Sequence, residues 1–199
     1  ALAEYEYSYK GKVTNLIFLS FGTGIGGGII NNSKLVRGEG SAGELGHILI
    51  SNDPNLEPCA CGKIGCFESL ASAKKWSGAV EDLMKEEPLS ELSLMNKTEI
   101  KGSSLFSNNL SLTTLQVVQQ KEFINNISRG LISLYEIFDN QVFVIGGSFT
   151  NDSNQLIELV NERTNQINKY RGRNFPEIYF AKLKSDAGLI GAALLLNDE

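Results

Sequence analysis

The chain has 199 residues and a net charge of -5, with 42% hydrophobic and 21% charged residues. That composition excludes a disordered chain, which lacks the apolar area to offset ordering entropy. The acidic balance argues against a general binder of polyphosphate backbones. No run of about eighteen apolar residues suggests a transmembrane helix. Ala1-Leu2-Ala3-Glu4-Tyr5 lacks the regions of a signal peptide, so a cytoplasmic setting with reduced cysteines is expected.

Residues 13–21 form an apolar, branched and aromatic run that predicts a buried strand. The glycine-rich stretch 22–28 follows. Residues 28–30 predict a second strand, Asn31-Asn32-Ser33 a hairpin turn, and residues 34–37 a third strand. Residues 46–50 are expected to continue strand structure, and residues 59–66 to form a compact loop. A helix is predicted over 67–85, with Leu70, Ala73, Trp76, Val80 and Leu83 on one stripe. Residues 86–112 have weak periodicity and predict a connection with one helical turn.

A long helix is predicted over 112–138, with Ile124, Ile127, Leu131, Leu134 or Tyr135, and Phe138 inward. Val142-Phe143-Val144-Ile145 predicts a buried strand ending at Gly146-Gly147. Asn151, Asp152 or Ser153 could cap a helix to about residue 169, with Leu156, Val160 and Ile167 inward. Residues 178–181 predict a strand. Ser185 or Asp186 caps a final helix through residue 196, apolar nearly all round and therefore expected to be buried. Hairpin strands followed by helix–strand alternation predict an α/β fold, a mixed sheet flanked by helices. The ribonuclease-H-like half of an actin-like ATPase has this order.

Gly22, Gly24 and Gly27 match a bare G-x-G-x-x-G, but the dinucleotide fingerprint needs a helix next, and here a strand follows. A strand–turn–strand cradle for phosphate fits better. Glycines permit positive φ and close approach to a ligand, consecutive amides can form an anion nest, and Thr23 adds a hydroxyl. The competing reading is a tight hairpin that binds nothing.

The only histidine and all three cysteines are His47, Cys59, Cys61 and Cys66. Three thiolates and one imidazole suit tetrahedral Zn²⁺ with no open position, which is a structural site. Gly62 and Gly65 would let the loop close tightly. Glu44 and Glu68 flank it on either side, and carboxylates suit a ligand with several hydroxyls. Alternatively Glu68 favours the N-terminus of the helix starting near Phe67, and Glu44 is a solvated loop charge.

Together, Gly22-Thr23-Gly24-Ile25-Gly26-Gly27-Gly28, Gly43-Glu44-Leu45-Gly46-His47 and the segment Cys59-Ala60-Cys61-Gly62-Lys63-Ile64-Gly65-Cys66-Phe67-Glu68 resemble the ROK family (repressor, open reading frame, kinase). Val144-Ile145-Gly146-Gly147-Ser148 resembles its adenosine-side motif, and Asp186-Ala187-Gly188-Leu189-Ile190-Gly191-Ala192-Ala193 its closing helix. The resemblance implies ATP-dependent phosphorylation, with Mg²⁺, of a hexose or N-acetylhexosamine. It implies sugar binding by Glu44, His47 and Glu68, and zinc binding by His47, Cys59, Cys61 and Cys66. Gly22, Thr23 and Gly24 would approach the transferred phosphate, and Gly146 and Gly147 the adenosine.

The family's catalytic aspartate has no counterpart, because its segment precedes the stretch matching Ala1. No catalytic residue is therefore assigned. Residues 1–199 are expected to be the C-terminal lobe of a longer kinase, inactive alone and without nucleic-acid or membrane partners. The resemblance suggests a homodimer through this lobe. Alternative readings are a sugar-sensing repressor of the same family and a non-enzymatic zinc module.

Overall fold

The computed structural model describes residues 1–95, 105–106, 110–147, 154–169, 172–184 and 186–196. The described strands form one sheet in the order β3-β2-β1-β4-β5. They are β1 (Leu16–Phe21), β2 (Ile25–Asn31), β3 (Lys34–Leu35), β4 (Val142–Gly146) and β5 (Glu177–Phe180). β1 and β2 are antiparallel, whereas β4 runs parallel to both β1 and β5. The β2–β3 turn places Asn32 and Ser33 at φ 50° and 63°. That is the mirror-image turn whose twist matches a two-residue hairpin.

Alternation along the strands divides them between two faces. Ile17, Leu19, Phe21, Phe143 and Ile145 enter the larger core, with the helices α2 (Phe67–Ala71), α3 (Ala73–Glu86), α5 (Thr114–Phe138) and α6 (Asn154–Asn168). Leu16, Ile30, Val142 and Val144 pack on the opposite face against Tyr5 and Tyr9. Those tyrosines bound a π-helical turn, Tyr5–Tyr9, that continues α1 (Leu2–Glu4). α5 begins at a capping box, Thr113 with Gln116, and ends at Asp139 in the left-handed region at φ 45°. The sole tryptophan, Trp76, stacks on Phe123 at 4.5 Å and on Phe106 at 5.1 Å between ring centroids.

The structure differs from the expected elements at four places. Residues 46–50 are not a strand. Leu45–His47 form a 3-10 turn, and Leu49 makes a lone bridge to Cys66. The turn sits directly on the Ile25 carbonyl, a position only Gly46 allows, because a side chain there would collide with it.

The helix predicted over 67–85 breaks at Ser72. Ser72 is extended (φ -69°, ψ 158°), and its hydroxyl accepts the Lys75 N–H at 3.2 Å. A serine that caps one helix cannot continue the previous one. Trp76, Val80 and Leu83 are buried as expected, while α2 buries Phe67 and Ala71 in place of Leu70.

α6 buries Leu156, Val160, Thr164 and Asn168, not Ile167. A strict four-residue spacing runs along its inner face, and the Thr164 hydroxyl is satisfied by the Val160 carbonyl at 2.9 Å. Finally α7 (Asp186–Leu195) buries none of its residues. Leu189 is 80% exposed and Leu196, just beyond it, 82%. Among the described residues α1 packs beside it, yet Leu189 and Leu196 are left uncovered.

In residues 86–112 the expected helical turn is α4 (Glu91–Leu94), and Leu105 and Phe106 reach the core. Ser148 and the cap candidates Asn151, Asp152, Ser153 and Ser185 lie outside the described residues. No described helix is long and apolar enough to cross a membrane.

Candidate functional site

β1 and β4 are parallel neighbours, with Ser20 opposite Gly146. Their carboxyl ends therefore deliver two glycine turns side by side. In open α/β sheets ligands bind outside the carboxyl ends of strands. After β1 the chain turns through Gly22-Thr23-Gly24, where the Gly22 N–H donates to the Gly24 carbonyl at 2.9 Å. After β4, Gly147 takes φ 98°, and a side chain there would collide with the Phe21 carbonyl. Gly147 thus brings the second turn against the last residue before the first.

None of Gly22, Gly24, Gly26, Gly27 and Gly28 has positive φ. The expected conformational reason for these glycines is corrected: at Gly24, Gly27 and Gly28 the absence of a side chain makes room for a neighbour. A side chain at Gly24 would meet the Glu68 carboxylate, and one at Gly27 would meet Leu45 and the Phe18 carbonyl. Gly22 and Gly26 face open space, and Thr23 is exposed beside them.

The four candidate metal ligands converge. Their ligand atoms all lie within 4.8 Å of one another. His47 Nδ1 is 3.7 Å from Cys59 Sγ, and Cys61 Sγ is 3.6 Å from Cys66 Sγ. A tetrahedron with metal–sulfur bonds of about 2.3 Å has edges of about 3.8 Å. The donor set and its spacing fit Zn²⁺.

The loop is shaped for this convergence. The Cys59 N–H donates to the Lys63 carbonyl and the Gly62 N–H to the Cys59 carbonyl, both at 2.8 Å. Gly65, at φ 83°, sits where any side chain would strike the Ser51 carbonyl. The Lys63 ammonium donates to the His47 carbonyl at 2.9 Å, a tie that sequence reasoning missed. Cys66 is fully buried, and burial first, then the neighbouring thiols, push its own thiol up to about 12. The exposed Cys61 is lowered, chiefly by a backbone hydrogen bond at Lys63. Thiolate is the ligand form, so zinc binding would release these protons.

His47 uses its two nitrogens differently. Nδ1 faces the thiols, while Nε2 lies 3.7 Å from the Glu44 carboxylate. With Nδ1 on a metal, Nε2–H becomes a donor directed outward. Glu68 does not cap α2: that cap position is Cys66, and no side-chain cap bond forms. Instead Glu68 Oε2 accepts the Ile25 N–H at 2.9 Å, and Oε1 lies 3.9 Å from Cys59 Sγ. One carboxylate thus joins the glycine hairpin to the cysteine loop. A groove of about 660 Å³ opens beside them, with Thr23, Cys59 and Glu68 on its walls.

Comparison with known families matches residues 1–199 to the ROK family. N-acetylmannosamine kinase of Haemophilus influenzae is 34% identical over 98% of this chain and 59% of its own length. The xylose repressor of Caldicellulosiruptor bescii is 31% identical over 100% of this chain and 50% of its own. Among solved structures, a ROK family glucokinase from Streptomyces griseus, in complex with glucose and AMPPNP, has a TM-score of 0.78 at 26% identity. That match covers 100% of this chain and 65% of the glucokinase chain. The chain spans half to three-fifths of the length of these two curated relatives.

Proposed function

The chain belongs to the ROK family, and from that membership we propose that it is the C-terminal lobe of an ATP-dependent kinase of a hexose or N-acetylhexosamine. The observation that carries this reading is the Glu68–Ile25 hydrogen bond. It seats a carboxylate suited to sugar hydroxyls directly against a backbone turn suited to phosphate. Phosphoryl transfer depends chiefly on positioning and charge stabilisation, and this juxtaposition favours both.

In this reading Glu44, His47 and Glu68 hold the sugar. Gly22, Thr23 and Gly24 receive the phosphates of ATP bound with Mg²⁺, and Gly146 and Gly147 pass beside the adenosine. His47, Cys59, Cys61 and Cys66 hold a structural zinc, which would fix the His47 ring with Nε2 toward the sugar. The catalytic base comes from outside these 199 residues, and no residue here is given that role. The exposed leucines of α7 support a further lobe. The proposed protein is cytoplasmic and dimeric, and this lobe itself binds no nucleic acid.

Similarity to a xylose repressor along the whole chain favours one second reading, a sugar-sensing repressor. The test is ATP turnover by the full-length protein, zinc-replete and with Mg²⁺, against hexoses and N-acetylhexosamines. Sugar-dependent turnover supports the kinase and names the substrate. Sugar binding without turnover, joined to sequence-specific DNA binding, supports the repressor.

A further inference from the structure

The break at Ser72 aims α3 at the glycine turn. The first turn of α3 carries Lys74 and Lys75, and the Lys74 N–H donates to the Gly22 carbonyl at 3.3 Å. Lys74 is thereby tied to the residue next to Thr23. Both lysine side chains line the same groove as Thr23 and Glu68. Both residues are exposed, and neither ammonium pairs with a described residue. Of the groove's carboxylates, Asp82 is engaged by Lys85 at 2.9 Å and Glu68 by the Ile25 N–H, while Glu86 and Glu122 stand further along the same wall. In a chain of net charge -5, Lys74 and Lys75 put two adjacent positive charges beside a phosphate-type turn.

We infer that Lys74 and Lys75 bind the polyphosphate of the nucleotide, as a cationic rim beside the Gly22-Thr23-Gly24 turn. This rests on the kinase reading and adds two residues to its phosphate site. The turn offers backbone donors and one hydroxyl, but no positive charge of its own. A nucleoside triphosphate brings several negative charges there, and a metal ion offsets only part of them. Lysine suits the remainder, because its ammonium is a compact charge on a flexible four-carbon stem that can follow a moving phosphate. The positive end of the 14-residue α3 adds a smaller contribution of the same sign.

The test uses the full-length protein, with AMPPNP titrated calorimetrically at saturating sugar and ATP kinetics measured in parallel. The double variant Lys74→Ala/Lys75→Ala is expected to weaken AMPPNP binding and raise KM for ATP by roughly tenfold. KM for sugar should stay within about twofold, since the sugar carboxylates are untouched. Lys74→Arg/Lys75→Arg should restore most of the loss. The salt dependence of AMPPNP binding should flatten in the alanine variant only.

Lys85→Ala, on the same helix but engaged with Asp82, serves as the control and should change neither constant. AMPPNP affinity and salt dependence equal to wild type in the alanine double variant overturn the inference. An equal rise in both KM values that arginine does not restore also overturns it, by indicating a structural role. If wild-type protein binds no AMPPNP, the kinase reading fails and this inference with it; a loss confined to the variant pair tests the lysines alone.

Discussion

Glu68 and Ile25 are 43 positions apart, and the carboxylate of one accepts the backbone N–H of the other at 2.9 Å. The bond crosses from α2, directly after the cysteine loop, to the start of β2. It fixes the distance between the two halves of the proposed site. Gly24 is what lets it form, since any side chain there would occupy the place of the carboxylate.

Gly24→Ala should therefore displace Glu68 while leaving every candidate ligand in the sequence. Glu68→Gln keeps an acceptor oxygen for Ile25 but loses the charge; Glu68→Ala loses both. The expected order of damage to sugar-dependent turnover in the full-length protein is Glu68→Ala worst, with Gly24→Ala close to it. Loss of a charge-assisted hydrogen bond and a sugar contact together is worth roughly 3 kcal/mol, or about a hundredfold in kcat/KM. Wild-type kinetics in Gly24→Ala would show that the tie is incidental.

The cysteine loop has few apolar side chains to hold it, since Ala60, Lys63 and Ile64 are all exposed. Its stability should depend on the ion. Chelation of zinc and the substitution Cys61→Ser should each lower bound zinc and melting temperature together. Gly65→Ala should do so independently of metal, by about 2 kcal/mol or more, because it combines positive φ with a backbone collision. Metal analysis beside thermal melts checks all three. An unchanged melting temperature after complete zinc removal would count against a structural role.

Tyr9 lies beneath the sheet, 7% exposed, and its buried hydroxyl has no hydrogen-bond partner among the described residues. Burial, with the nearby Glu4 charge second, pushes its phenol from 10.0 up to about 12. The folded state thus favours the neutral phenol. The associated stability is complete below pH 10 and is lost as pH rises from about 10 through about 12. Tyr9→Phe keeps the ring and removes an unsatisfied hydroxyl. It should raise stability at neutral pH by about 1 kcal/mol and reduce the alkaline loss. Denaturant unfolding between pH 7 and 11.5 gives both; destabilisation at neutral pH would mean that the hydroxyl has a partner in solution.

Much of the fold was legible because its signals are local. The strands β1 and β4 are continuous apolar runs, and α5 carries a strict stripe from Phe123 to Tyr135. The cysteine spacing similarly announced a convergence, and His47 with three thiols does converge. What escaped was set by contacts between distant segments. Nothing local says that Ser72 caps rather than continues a helix, and the Gly22 carbonyl that receives Lys74 lies 52 positions away. The glycines of β2 were legible as special but for the wrong reason. None of them has positive φ; the smallness of Gly27 answers to Leu45 and the Phe18 carbonyl and that of Gly28 to Ala1, contacts that the local pattern does not announce. α7 misled in a more informative way, since its composition reports a burial that the described residues do not provide.

That mismatch makes α7 a test of the proposed architecture. Leu189 is 80% exposed here, so Leu189→Asp should leave the stability of residues 1–199, expressed alone, within about 0.5 kcal/mol of the parent. In the longer protein the same change should remove a buried leucine and bury a charge, at a cost of about 3 kcal/mol or more. Residues 1–199 alone should show no sugar-dependent ATP turnover, since the proposed base lies elsewhere. Paired thermal melts of the two lengths, with and without the substitution, separate the outcomes. Equal, small effects in both lengths would mean that α7 faces solvent in the whole protein and that its leucines serve some other surface. A large effect only in the longer protein would place the missing cover on α7, beside α1, where Gly191 approaches Ala3.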